Sequence, residues 1–442
     1  MGRAQKHPKN AFDWGRVFRI GKEAFWVTLG QLLMILGALV GIRILTEILD
    51  PSQYGELALG NTVALFLTYV FFSPITSGAA RFYPLAGERG ELPSFFHTSR
   101  WLFSRSLGAL AVVAVPFFLI VFFWAGGKWA FLCLVAVMYG IMMAGNNTLL
   151  GLYIVSRKHR ESALLQGMEI WCRFFLAAAL VFLVGATGTV ALFGYLLSAL
   201  VVLFVLALLF PRVLYKKKQP LFMVPSEQSY DWKKEMTSYS LPFAVWGVFT
   251  WLQFSSDKWV LCKLATTEEV GLYAALYQLG FYPIFIATKI FLQLSMPVLF
   301  GIAGDTTDKV RMVRLRGVSF EFLSLVIFMA VICFIVSYFI NDFVFSVFVS
   351  EAYREVSYLL PWMLLAGGLY ACGQAAYLSL LSQTRTKQLL LPLITTALLC
   401  VALNYLGAFY WGINGVVGAQ VIFGIAYSLW LLRLLFKQFK NI

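Results

Sequence analysis

Leu49-Asp50-Pro51-Ser52-Gln53-Tyr54-Gly55-Glu56-Leu57-Ala58 and Ala265-Thr266-Thr267-Glu268-Glu269-Val270-Gly271-Leu272-Tyr273-Ala274 are one short stretch written twice, at an offset of 216 residues. Each copy follows one long apolar run and opens another. Each therefore reads as a turn at a membrane surface, with Gly55 and Gly271 expected to supply its tight geometry. Two further echoes come in the same order. Gly140 to Asn146 pairs with Gly368 to Gln374 at an offset of 228, and Gly185 to Ala191 pairs with Gly412 to Gly418 at 227. Three matches in order imply a duplicated unit of roughly two hundred residues.

The composition places that unit in a bilayer. Of 442 residues 60% are apolar and 13% charged, and the mean hydropathy is +0.79, which leaves too little polar surface for a water-soluble chain of this length. The net charge of +14 is dispersed between apolar runs rather than gathered on a stripe, which argues against a nucleic-acid partner. Six cysteines fall in or beside apolar runs without metal-like spacing, and His7, His97 and His159 fall in expected loops. No metal or other cofactor is implied.

A membrane-crossing helix needs about twenty mainly apolar residues. Twelve such runs are found, at roughly 25–47, 55–80, 105–124, 130–153, 163–184, 190–210, 240–262, 270–300, 317–339, 358–381, 388–409 and 413–433. With the N-terminus inside, 28 of the 35 Lys and Arg residues lie in cytoplasmic segments, 3 lie outside (Lys128, Lys263, Arg354) and 4 lie within helices. That asymmetry fixes an orientation with both termini cytoplasmic. The expected organisation is a basic N-terminal segment 1–24, a six-helix bundle 25–210, a cytoplasmic linker 211–239 and a second six-helix bundle 240–436. Two copies of six helices share one orientation, so the repeat is parallel, an arrangement used by transporters.

An ionised side chain at mid-bilayer costs about 3 kcal/mol on insertion scales, so such residues usually face a wet interior. Arg43 lies in the outer third of helix 1, and Asp257 and Lys258 lie at similar depth in helix 7. Glu169 and Arg173 are one turn apart on helix 5, where they serve either as a structural i,i+4 ion pair or as a working one. Lys289 lies deep in helix 8. Adjacent helical residues point about 100° apart, so Asp257 and Lys258 need not meet. Four cations against two acids leave the interior net positive, which suits an anionic cargo. Arg43, Lys258, Arg173 and Lys289 are the expected substrate-binding cations. Asp257, ahead of Glu169, is the candidate coupling group, a residue whose ionisation differs between inward- and outward-open states. Its competing role is to balance a neighbouring cation. Asn146 and Gln374 read as interhelical hydrogen-bonding residues or ligand contacts, and Gly37 with Gly41 as a close-packing pair.

The stretch Arg43-Ile-Leu-Thr-Glu-Ile-Leu-Asp50-Pro51-Ser-Gln-Tyr54-Gly55-Glu-Leu-Ala, its counterpart through Val270-Gly271-Leu272-Tyr273-Ala274-Ala275, and Gly185 to Val190 resemble the polysaccharide-transporter (Wzx-type) flippases. Those belong to the multidrug/oligosaccharidyl-lipid/polysaccharide exporter superfamily. The resemblance implies an all-α, MATE-like fold, a V-shaped cavity and alternating access. It also implies a cargo of lipid-diphosphate-linked oligosaccharide crossing the cytoplasmic (inner) membrane, a place beside polysaccharide polymerases and glycosyltransferases, and no enzymatic activity. Related lipid II flippases usually have fourteen helices where this chain supports twelve. The drug-exporting branch carries an acid within helix 1, where this chain has Arg43 and, at the outer end, Glu47. The alternatives are another exporter of the same superfamily and, further off, a membrane polysaccharide polymerase or ligase. The latter tend to carry catalytic residues on a long outer loop, and the longest expected here, about 340 to 357, has no His.

Overall fold

The computed structural model describes residues 14–214, 231–288, 290, 295, 299, 309–382 and 386–440. They form α1 (Trp14–Ile48), α2 (Pro51–Arg89), α3 (Leu92–Ala125), α4 (Gly127–Val155), α5 (His159–Val184), α6 (Gly188–Leu214), α7 (Trp232–Leu264), α8 (Thr267–Thr288), α9 (Lys309–Phe348), α10 (Leu360–Leu381) and α11 (Thr386–Lys440). A 3₁₀ helix, Glu351–Leu359, leads into α10. Among the described residues there is no strand, and ten helices are long and apolar enough to cross a membrane. The long α7 falls outside that set, in keeping with the Ser, Thr, Gln, Tyr and Trp residues that lower the hydropathy of its charge-free middle, 236–256. The longest helix, α11, is two helices joined at Gly412, whose φ of 55° and ψ of −136° break the helix. That break falls where the sequence separates its last two apolar runs.

The duplicated stretch explains how two of these helices start. Asp50 caps α2, its carboxylate accepting from the Gln53 amide at 2.8 Å, and Pro51 occupies the first turn, where its missing N–H is harmless. At the equivalent place Thr266 caps α8, its hydroxyl accepting from the Glu269 amide at 3.2 Å. Gly55 and Gly271 are therefore not turn residues, as the sequence suggested. Both lie one turn inside their helices, and neither is among the glycines with positive φ. Their lack of a side chain serves a close crossing of α2 over α8. A Cβ on Gly55 would overlap the Thr267 carbonyl and one on Gly271 the Pro51 carbonyl, while each would come 3.0 Å from the other glycine's backbone nitrogen.

Other expectations shift at the helix ends. α3 and α9 extend well beyond the apolar runs that announce them, because a helix continues through the interfacial region once started. Residues 232 to 239, read as the end of the linker, are the first turns of α7, capped by Asp231. The expected outer loop at about 340 to 357 is instead the end of α9, a break at Val349 and Ser350, and the start of the 3₁₀ helix. The expected linker residues 215–230 lie outside the described residues.

Lipid offers no hydrophobic gain for bringing helices together, so contact is made by small residues and hydrogen bonds. On α1, Gly30 meets Ala163, Gly37 meets Ile170 and Gly41 meets the Phe174 ring, one in-register seam against α5. Along α2, Gly78 faces Ser240, the Tyr69 carbonyl rests on Gly247, and the indoles of Trp251 and Trp259 donate to the Thr62 carbonyl and hydroxyl at 2.8 and 2.9 Å. α7 thus follows α2, which carries a π-helical turn at Thr68–Phe72. Large exposed apolar residues such as Phe123, Trp124, Phe182, Phe339 and Trp411 line the outside, as lipid contact requires.

Candidate functional site

Each intramembrane cation among the described residues has an acidic partner. On α5, Arg173 donates to Glu169 at 2.8 Å, and its guanidinium carbon lies 5.6 Å from the Tyr195 ring centre. Both side chains are largely buried, and the phenols of Tyr139, Tyr195 and, from α8, Tyr282 lie within electrostatic reach of the guanidinium. The i,i+4 spacing brought this pair together as the sequence implied.

On α7, Asp257 is fully buried. Its carboxylate accepts from the Tyr273 hydroxyl at 2.7 Å, from the Lys258 amide at 2.8 Å and from Lys258 Nζ at 3.2 Å. The two adjacent residues do meet, because the four-carbon lysine stem swings back over its own helix. Lys258 Nζ also lies 4.3 Å from the Tyr277 ring centre, a cation–π contact in a desolvated setting. Arg43 joins neither pair. It bonds Glu47 at 2.9 Å and donates to the Val349 carbonyl at the end of α9. Lys289 lies outside the described residues.

In this conformation Arg43, Arg173 and Lys258 are therefore neutralised in pairs, so these three described cations carry no excess positive charge of the kind expected from the sequence. The arrangement suits exchange of partners better than a standing positive field. A cation held by one carboxylate can pass to a phosphate oxygen, and arginine can do so with two parallel hydrogen bonds.

Two further polar groups of the interior, absent from the intramembrane charges that depth in the apolar runs points to, belong to the duplicated stretches. Tyr273, the donor to Asp257, belongs to the second copy. Glu56 belongs to the first; it is buried and bonds Lys128 through one oxygen, while the other has no hydrogen-bond partner. Asn146 donates to the Ala199 carbonyl at 3.1 Å, and Gln374 to the hydroxyls of Tyr370 and Tyr427 at 2.6 and 2.9 Å, so both join helices. Among the described residues no group of three His, Cys, Asp or Glu side chains could hold a metal ion.

Residues 20–303, more than half of the chain, match the family model described as polysaccharide biosynthesis protein. The chain belongs to that family. Its membership agrees with the resemblance carried by residues 43–58 and places it in the multidrug/oligosaccharidyl-lipid/polysaccharide exporter superfamily. Among curated proteins no match was found. Solved structures show the fold of this polysaccharide biosynthesis family member. The lipid II flippase MurJ in an inward closed conformation matches with a TM-score of 0.67 at 14% identity, over 93% of this chain and 86% of that one. An inward-facing multidrug resistance MATE family transporter matches with a TM-score of 0.64 at 14% identity, over 96% and 99% of the two chains. Its outward-facing counterpart gives 0.56 at 14% identity, over 96% of each. This family member is a multi-pass, all-helical membrane protein with the fold of those transporters.

Proposed function

We propose that this protein is a flippase that carries a lipid-diphosphate-linked oligosaccharide across the cytoplasmic membrane by alternating access. On this reading its twelve helices form two six-helix bundles, the first ending with α6 and the second starting with α7, joined by a cytoplasmic linker between them, with both termini inside. The observation that carries it is the family match falling on a chain with a tyrosine-lined buried cation in each half, Arg173 and Lys258, each held by a neighbouring carboxylate. The diphosphate displaces those carboxylates, and Arg43 and Lys289 supply further positive charge as the head group passes. Arg43 must first leave Val349.

Asp257 is the coupling group in this scheme. Once Lys258 turns to the cargo, the buried carboxylate keeps the Tyr273 hydroxyl but loses its counter-ion, and taking up a proton removes the cost of that uncompensated charge. Polysaccharide polymerases and glycosyltransferases act on either side of the same step.

The test is translocation of a labelled lipid-diphosphate oligosaccharide in proteoliposomes with an imposed pH gradient. Wild-type protein should move it. Lys258→Ala and Arg173→Ala should reduce the rate at least tenfold at equal protein content, and Asp257→Asn should lose its response to the gradient. Wild-type protein that moves no such lipid, or a Lys258→Ala variant as fast as wild type, would refute the scheme.

A further inference from the structure

We propose that Trp101 and Arg105 on α3 and Lys233 on α7 form a binding site for an acidic phospholipid of the surrounding bilayer, distinct from the buried ion pairs of the interior. The indole of Trp101 carries two cations. The Arg105 guanidinium carbon lies 4.8 Å from its ring centre and Lys233 Nζ lies 5.2 Å from it. Both cations are exposed, and the indole is half-buried. Either contact is favourable by itself, because the face of an indole attracts positive charge. Two like charges gathered at one ring repel each other, and among the described residues neither has an ion pair. A phosphate beside them offsets that repulsion and accepts charge-assisted hydrogen bonds from both.

The meeting of the two cations is fixed by the buried layer next to it. Trp232, the neighbour of Lys233, is buried against Phe82 and Phe95, with ring centres 6.2 and 6.1 Å away, and its indole donates to Glu91 at 2.8 Å. These contacts hold the start of α7 against the first half of the chain and engage Glu91. Asp231 is engaged in capping α7.

The surface that continues from the cations selects a lipid over a soluble anion. α3 spans 34 residues where about twenty cross the hydrocarbon, so its first turns stand in the headgroup region. Residues 101, 105, 108 and 112 follow one another at spacings of four, three and four and so share one helix face. Arg105 extends back along that face to the Trp101 ring, as long cationic stems do near an interface. Further in, Gly108 has nothing within 4 Å of where a Cβ would stand, and Val112 is 74% exposed. Over about 16 Å, the depth of one leaflet, the face passes from two cations and an indole to an open apolar track. A headgroup phosphate followed by its acyl chain has the same order. In the orientation proposed above, that lipid belongs to the cytoplasmic leaflet.

The experiment uses the full purified chain in detergent and phosphatidylglycerol as the probe, with bound lipid counted by native mass spectrometry. Wild-type protein should retain phosphatidylglycerol in preference to phosphatidylcholine with the same chains. Arg105→Gln with Lys233→Gln should weaken the tightest bound phosphatidylglycerol about tenfold or more. Arg100→Gln with Lys234→Gln removes the same charge from the same two helix starts and should change it less than about twofold, since neither residue meets the Trp101 ring. Arg105→Lys with Lys233→Arg should keep most of the binding. Gly108→Trp should fill the apolar track and weaken binding several-fold with both cations intact, and inorganic phosphate should not displace the lipid. Equal weakening by the two glutamine pairs, binding untouched by Gly108→Trp, or displacement by inorganic phosphate would each overturn the site. If the Arg105 and Lys233 glutamine pair does not reach the membrane, Gly108→Trp decides. None of these readings uses transport, so the site stands or falls apart from the flippase reading.

Discussion

Asp257 and Lys258 form the most enclosed ion pair of the described interior, and burial makes the two ways of breaking it unequal. Removing one partner leaves a charge without compensation and costs about 3–5 kcal/mol, while replacing both by apolar residues of similar volume is often neutral. Lys258→Met should therefore lower the unfolding midpoint of the purified protein clearly. The double variant Asp257→Leu with Lys258→Met should recover most of that loss in a thermal melt but still fail to export. Recovery of export as well would show the pair to be structural. The sequence disclosed these charges through their depth in an apolar run. It did not disclose Tyr273, because its contact with Asp257 depends on how α7 and α8 pack. Nor did it show that Arg43 reaches Val349, 306 positions away.

The seam of α1 on α5 shows what decides the packing of elements. Gly41 lies under the Phe174 ring, with Gly30 and Gly37 continuing the contact against Ala163 and Ile170. Gly41→Leu should force the helices apart at a cost of about 1–3 kcal/mol, the usual penalty of overpacking. Gly108 on α3 has nothing within 4 Å of where a Cβ would stand, so Gly108→Ala should leave thermal stability unchanged or raise it by up to about 1 kcal/mol, as alanine does in a helix. Equal melting temperatures for the two variants would contradict the close seam. The pair Gly37 and Gly41 was legible as a small-residue contact, but its partner was not, since spacing within one helix does not name the neighbour. Helix centres were legible from apolar runs. Helix ends were not, because charged turns at the interface, such as those opening α7 and α9, remain helical outside the hydrocarbon.

At the scale of the molecule, the sequence carried two independent signals, the dispersal of basic residues and the duplicated stretch, and they constrain each other. In the proposed topology, the assignment of 28 basic residues to one side and 3 to the other would set the direction of every helix. A parallel repeat then requires both copies of the stretch at the same surface. The symmetric approach of Gly55 and Gly271 supports this, since equivalent residues can meet across a two-fold axis along the membrane normal only at one depth. Cysteines introduced at 52, 267 and 348 should react with a membrane-impermeant thiol reagent added to intact cells. Cysteines at 215 and 310 should react only after the membrane is opened. The outer positions carry the weight of the test, because 52 and 267 come from different copies. Labelling of one from outside and the other from inside would be incompatible with the crossing of α2 and α8, with the parallel repeat and with the orientation drawn from the basic residues. Labelling of both from inside would leave the crossing and the repeat intact and invert the orientation alone.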